Sequence, residues 1–279
     1  MRVLLIVPGD LAHPLQTLPA AAAVAESLQA QLQVVCPPQG TAAWTLLPAV
    51  ERVIPFPFAA ATLADWANLL GSVREPDFQV CLNLAEGRQV DLMLSMSHIP
   101  TRIAARGFSA TETIPLAPEG SGWPARRLEP WLQRIGVALE AGSFRLSLSR
   151  ESLDRAIAAQ PAGDGPLLLL APSGAAGDWP AAHWQALPGL IRSRIGGLRT
   201  QRALDHGALK DRAAQVAGAD VVLSSSAAVS ELALLLGIPL VALGRAADTL
   251  PQRSGVQGLA GGDLSGLAPE TVLQALGLG

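Results

Sequence analysis

The residues best suited to chemistry in this chain stand in turns that follow apolar runs. In "LLIVPGDLAHPLQ", Asp10 and His13 lie just past the first run. An unperturbed imidazole titrates at about 6.5 and so accepts a proton well near neutral pH, and a carboxylate can serve the same end. Each has a plainer alternative, Asp10 as a turn cap and His13 as a loop residue beside Pro14. In "LLLLAPSGAAGDWP", Ser173 and Gly174 follow a second run, and in "ADVVLSSSAAVSELALLLGIPLVALGR", Ser224, Ser225 and Ser226 follow a third. Small residues let a ligand approach the backbone, and a turn leading into a helix offers N–H groups and a positive dipole end, which suits an anion. Glu231, one turn into that helix, could bond a sugar hydroxyl or simply lie on the helix surface. Arg245 follows the next strand and is a candidate partner for phosphate. His98 and His206 have no partner at metal-ligand spacing and are read as structural, as are Trp179 and Trp184.

The elements that must position these residues alternate as strand and helix. "RVLLIV", "LQVVC", "VERVIPF" and "FQVCLNL" are short apolar runs of strand length, separated by helical segments. One helix is expected to open at Pro19 and run to about Ala30, another to cover "TLADWANLLGSV" and a third "RQVDLMLSMS". Continuous apolar runs of this kind fit buried parallel strands. The segment Glu119 to Pro130 reads as a long loop, followed by a helix from about Leu128 to Ala138. "EAGSFRLSLSRES" reads as a linker into a helix capped by Ser149 or Ser152. A boundary near residue 145 follows, giving domains 1–145 and 146–279. The second half repeats the alternation and ends on the helix "APETVLQALG", but "GGLRTQRALDHG" lacks the apolar pattern of the strand and helix that should stand there. The second domain is therefore expected to be trimmed, or to carry an edge strand too short to recognise.

Composition narrows the functions. The 279 residues are 49% hydrophobic with a formal net charge of -3, enough for one large or two ordinary α/β domains and without the basic excess that nucleic acid requires. Cys36 and Cys81 are the only cysteines, too few for a disulfide framework or a cysteine-based zinc site, which fits a reducing cytoplasm. No run reaches the roughly 20 apolar residues of a membrane helix, since the longest is broken by Gly237 and Pro239. The first turn also lacks the Gly-x-Gly-x-x-Gly of a dinucleotide-binding oxidoreductase.

Read together, "MRVLLIV" with "TLPA" at 17–20, "VERVIPF" at 50–56, "WPAAHWQAL" at 179–187 and the Ser-rich segment resemble glycosyltransferase family 9, the ADP-heptose lipopolysaccharide heptosyltransferases. The resemblance implies a GT-B-like α/β fold, two Rossmann-like domains facing a cleft, with the acceptor on the first and a nucleotide-diphosphate sugar on the second. It implies a metal-independent transfer without a cofactor, in lipopolysaccharide biosynthesis. The partners would be that donor and a glycan or glycolipid acceptor, in the cytoplasm, with contact to a membrane surface compatible.

The same resemblance assigns catalysis to His13 or Asp10, because the family's base, an Asp before "TLP", falls on Ala12 and His13 without a gap and on Asp10 with one. It assigns donor binding to Ser173, Gly174, Ser225, Ser226, Glu231 and Arg245. The chain departs from the family at several points. The Asp, Gly and His of the C-terminal signature are replaced, Gly177 stands for a Lys that neutralises diphosphate, and "NLAE" at Asn83 to Glu86 stands for Asp-Leu-Gln-Gly. A lost cation at the leaving group removes transition-state stabilisation, so an inactive scaffold that binds a nucleotide, a glycan or a protein is the alternative reading.

Overall fold

A computed structural model of the chain describes residues 1–118 and 120–278, in two units that divide between Phe144 and Arg145. The first unit runs β1 (Arg2–Ile6), α1 (Ala12–Leu28), β2 (Gln31–Cys36), α2 (Thr41–Trp44), β3 (Val50–Pro55), α3 (Leu63–Arg74), β4 (Val80–Asn83), α4 (Arg88–Ser95), β5 (Thr101–Ala104), β6 (Glu112–Thr113) and α5 (Glu129–Arg134). Its strands form one sheet in the order β3-β2-β1-β4-β5-β6, all pairs parallel. Strands β1 and β4 lie at the centre because Val3 to Ile6 and Val80 to Leu82 are apolar on both faces and helices cover both. Helix α3 starts at a reciprocal cap in which Thr62 accepts from the Asp65 N–H and the Asp65 carboxylate accepts from the Thr62 N–H at 2.8 Å.

The first helix departs from the sequence expectation. It begins at Ala12, well before Pro19, and carries both Pro14 and Pro19. Pro14 falls in the first turn, where the missing N–H has no intrahelical acceptor to lose. Pro19 does forfeit a bond, and the helix persists because Leu15, Leu18, Ala21 and Val24 are buried against the sheet. The consequence is functional: His13 sits on the first turn of a helix and is not a loop residue.

The second unit runs α6 (Arg150–Ala158), β7 (Leu167–Ala171), α7 (Ala181–Arg192), β8 (Arg199–Arg202), α8 (Leu209–Ala217), β9 (Val221–Ser224), α9 (Ala227–Leu236), β10 (Leu240–Leu243), β11 (Val256–Leu259) and α10 (Pro269–Ala275). Its parallel sheet has the order β11-β10-β9-β7-β8. Of the two candidate caps, Ser149 is the one that accepts, from the Ser152 N–H at 3.2 Å. The stretch expected to be trimmed holds β8 and α8. Strand β8, "RTQR", is a four-residue edge strand with only one neighbour and no apolar residue, so hydropathy could not mark it. Beneath β7, whose four leucines are all buried, Trp179 and Trp184 pack edge to face at 5.2 Å and Trp179 Nε1 donates to the Leu267 carbonyl at 2.8 Å.

Both cysteines are buried. Burial pushes the Cys36 thiol up to about 11, against a smaller opposing hydrogen bond with Trp44, and pushes Cys81 up as well. Neither is poised as a nucleophile.

Candidate functional site

In each sheet the strand order reverses direction next to the first strand of its unit, between β1 and β4 in the first and between β7 and β9 in the second. The helices that follow leave such a point in opposite directions, so a crevice opens beyond the carboxyl ends of the strands. Register fixes which residues line it. The pairing of β1 with β4 ends at Ile6 opposite Asn83, and that of β7 with β9 at Ala171 opposite Ser224. The turns starting at Val7 and Leu84, and those starting at Pro172 and Ser225, therefore emerge side by side.

In the first unit this crevice is a cavity of about 570 Å³ lined by Pro8, Gly9, His13, Thr17, Asn83 to Glu86, Arg106 and Arg127, among others. The sequence left His13 and Asp10 as rival bases, and the structure brings them together. His13 Nδ1 lies 3.0 Å from Asp10 Oδ1, an oxygen that also accepts the Ala12 N–H at 3.0 Å. A carboxylate facing Nδ1 fixes the proton there and leaves Nε2 as the acceptor. Partial burial raises the Asp10 carboxyl, and its bonds to His13 and to the Ala12 N–H outweigh this and hold it below the usual range, so it stays charged. With side-chain exposures of 47% and 71% for His13 and Asp10, the pair adds little to stability and serves to orient the ring.

Gly9 completes the arrangement. It has φ +106°, and a Cβ there would come within 2.6 Å of the His13 ring. The opposite wall holds a fully buried carboxamide, Asn83, whose Oδ1 accepts from the Ala85 N–H at 3.0 Å. Its Nδ2 has no partner among the described residues. Glu86, beside it, is ion-paired with Arg106.

In the second unit the residues expected to hold the donor converge, in a manner that corrects part of the expectation. The Ser225 and Ser226 N–H groups both bond the Ala171 carbonyl, at 3.1 and 3.3 Å, and that of Ser226 also bonds Ser224 Oγ at 3.0 Å. They are therefore not free for phosphate. The amides that do remain without a partner among the described residues are those of Ala227, Ala228 and Val229, the first turn of α9, whose cap residue Ser226 makes no side-chain bond to them. Ser173 and Gly174 stand opposite: Ser225 Oγ accepts from the Ser173 N–H at 2.8 Å, and Asp178 accepts from the Gly174 N–H at 2.9 Å.

Glu231 and Arg245 are corrected more sharply. Glu231 is 1% exposed, not a surface residue, and its Oε1 lies 2.7 Å from Arg245 Nη1. Arg245, 17% exposed, also donates from Nη2 to the Thr249 carbonyl at 2.7 Å. Its charge is spent inside the fold, so it is not the free cation that the sequence suggested. Sequence reasoning missed Arg202, at the carboxyl end of β8. It has no ion pair among the described residues and lines a cavity of about 240 Å³ with Pro172, Trp184 and Gln201. Only recognition of β8 as a strand would have singled it out. Sequence reasoning also missed Asp178.

No family model and no curated protein sequence matches the chain, whereas solved structures do, over nearly its whole length. ADP-heptose lps heptosyltransferase II of E. coli superposes with a TM-score of 0.73 at 17% identity, covering 99% of this chain and 98% of that one. E. coli heptosyltransferase WaaC with ADP-2-deoxy-2-fluoro heptose gives 0.72 at 18%, covering 99% of each. The fold is that of the heptosyltransferases. A glycosyl transferase family 9 protein of Veillonella parvula gives 0.78 at 13%, covering 99% and 96%. The heptosyltransferase fold is the GT-B class expected from the sequence, and the identities limit the likeness to fold.

Proposed function

We propose that the protein is a nucleotide-sugar-dependent glycosyltransferase that moves a sugar from a nucleotide diphosphate to an acceptor hydroxyl. The observation that carries this reading is the His13–Asp10 pair at the mouth of the first unit's switch-point cavity. In the proposed reaction the acceptor occupies that cavity, and its hydroxyl proton passes to His13 Nε2 while Asp10 stabilises the imidazolium. The acceptor oxygen bonds to the anomeric carbon as the bond from that carbon to the diphosphate breaks. Within the second unit, the Ala227, Ala228 and Val229 amides and the dipole of α9 are the groups suited to hold the diphosphate of a donor. The unpartnered Nδ2 of Asn83 supports the acceptor assignment, since a buried donor left unmade costs about 1–3 kcal/mol that a ligand oxygen would recover. The reaction calls on no metal or cofactor, and the similar WaaC structures hold ADP or an ADP-heptose analogue, which supports a donor of that class. We place the reaction in the cytoplasm, in the assembly of a lipopolysaccharide-type glycan, with a glycan or glycolipid as acceptor and no nucleic acid.

The test is incubation of the full chain with a panel of nucleotide-diphosphate sugars and sugar acceptors, read by mass spectrometry for the lengthened glycan and the released nucleotide diphosphate. Turnover that falls at least a hundredfold in His13→Ala supports the assignment; turnover unaffected by that change overturns it. A second reading, a non-catalytic scaffold, is favoured by one observation, the Asp178 carboxylate among the groups expected to hold phosphate. Donor binding without transfer across the panel would establish it.

A further inference from the structure

A second hollow adjoins the cavity that holds His13. It has a volume of about 420 Å³, is lined by Arg88, Asp91 and Gly107, and shares Ala85, Glu86 and Arg106 with its neighbour. The Glu86–Arg106 ion pair stands on that shared wall. Asp91, in the first turn of α4, is 8% exposed. Its Oδ1 accepts from Ser109 Oγ at 2.6 Å and from the Ser109 N–H at 3.4 Å, which ties the loop after β5 to the helix. Its Oδ2 has no partner among the described residues, yet it is not sealed from the surface and opens to the hollow. Gly107 makes this placement possible, because it has φ +118° and a Cβ there would come within 2.7 Å of Asp91 Oδ2. The brace to Ser109 thus occupies one carboxylate oxygen and leaves the other for a ligand.

We propose that the acceptor is a glycan of at least two sugar units and that this hollow takes the second, a neutral sugar one of whose hydroxyls donates to Asp91 Oδ2. The charges that line the hollow select that class. A free anion would face Asp91 and Glu86, and a free cation would face Arg88 and Arg106, whereas a hydroxyl both donates and accepts and suits groups of either sign. A buried carboxylate oxygen without a hydrogen bond is costly, and a sugar hydroxyl restores the bond. The volume lies within the range of small-ligand clefts, roughly 300–1,000 Å³. The shared wall places the second unit next to the sugar whose hydroxyl meets His13. The proposal rests on the glycosyltransferase reading for the first cavity as the acceptor site.

The experiment screens the full chain on an array of neutral and acidic mono-, di- and trisaccharides and assays transfer to the same glycans from a panel of nucleotide-diphosphate sugars. The natural chain is expected to bind at least one neutral disaccharide at least tenfold more tightly than the terminal monosaccharide of that disaccharide. Asp91→Asn is the decisive variant, because its amide oxygen keeps the brace to Ser109 while an N–H donor group replaces Oδ2. It is expected to remove the gain without lowering the melting temperature. Deoxygenating the second sugar one hydroxyl at a time is expected to reproduce the loss at one position, a result that does not depend on any variant folding. Equal binding of mono- and disaccharides, preference for acidic second units, a gain that survives Asp91→Asn, or no binding to any neutral glycan would each overturn the proposal. The two readings fail separately. A gain that depends on Asp91 without sugar transfer by the natural chain sinks the enzyme assignment alone, and transfer as fast to a monosaccharide as to the disaccharide that bears it sinks the second subsite alone.

Discussion

Replacing Arg245 by Met separates two incompatible roles for that residue, phosphate-binding cation and internal counter-ion. The structure fixes the second. Removal of the guanidinium leaves Glu231, 1% exposed, without its 2.7 Å counter-charge and leaves the Thr249 carbonyl without its donor. Breaking a buried pair from one side costs about 3–5 kcal/mol, and the lost bond to the carbonyl adds about 1 kcal/mol. Against a typical domain stability of about 5–15 kcal/mol, this is a large share. The double replacement Glu231→Leu with Arg245→Met removes the stranded charge and is expected to recover about 2 kcal/mol relative to the sum of the single changes. Urea unfolding followed by far-ultraviolet circular dichroism on the four forms completes the cycle. Losses below about 1 kcal/mol for Arg245→Met with additive behaviour in the cycle, together with lost nucleotide binding by a fully stable protein, would refute the reasoning and restore Arg245 to the ligand.

Gly9→Ala should lower kcat at least tenfold with the fold retained, because the added methyl displaces the His13 ring; steady-state kinetics and a thermal melt check it. Asp10→Asn should lower kcat by about ten- to a hundredfold with KM little changed, since the ring loses the partner that selects its tautomer, and the pH profile of kcat should move with it. Asp178 titrates below the ordinary carboxylate range in the folded chain because its hydrogen bonds outweigh its burial. Its contribution to stability is therefore complete above the unfolded value of about 3.9 and fades as the pH drops through the folded value. The stability difference between the natural chain and Asp178→Ala should be constant from pH 7 to about pH 5 and shrink at more acid pH, as urea midpoints across a pH series would show.

The parts of the fold that were legible in the sequence are those where one signal dominates. "RVLLIV" and "PLLLLA" are strands on apolar content alone, and residue type narrows the cap to Ser149 or Ser152, of which the structure uses Ser149. Where two signals compete, the sequence misled. Pro19 reads as a helix start because proline favours the first turn, yet burial of Leu15 and Leu18 carries α1 through it. At the site, residue types marked His13, Asp10 and the serines, but not the contacts among them. That His13 and Asp10 act as a pair depends on a helix start at Ala12. That Glu231 and Arg245 cancel one another requires α9 to pack against the end of β10, which no local pattern states. Asp178 passed unnoticed because its bond to the Gly174 N–H depends on the turn after β7 closing back on itself, which no residue type states.

The polarity that hid β8 from a hydropathy reading has a second effect. An outermost strand presents unpaired backbone groups to which another molecule's strand can attach, and long guanidinium side chains discourage that attachment. Strand β8 begins and ends with arginine, has Thr200 and Gln201 between them, and has its first arginine tied to the Gly165 carbonyl at 2.7 Å and the Gln160 side chain at 3.1 Å. Replacing these four residues with valines would make the strand obvious to any sequence reader and would turn that rim of the sheet into a nucleus for aggregation.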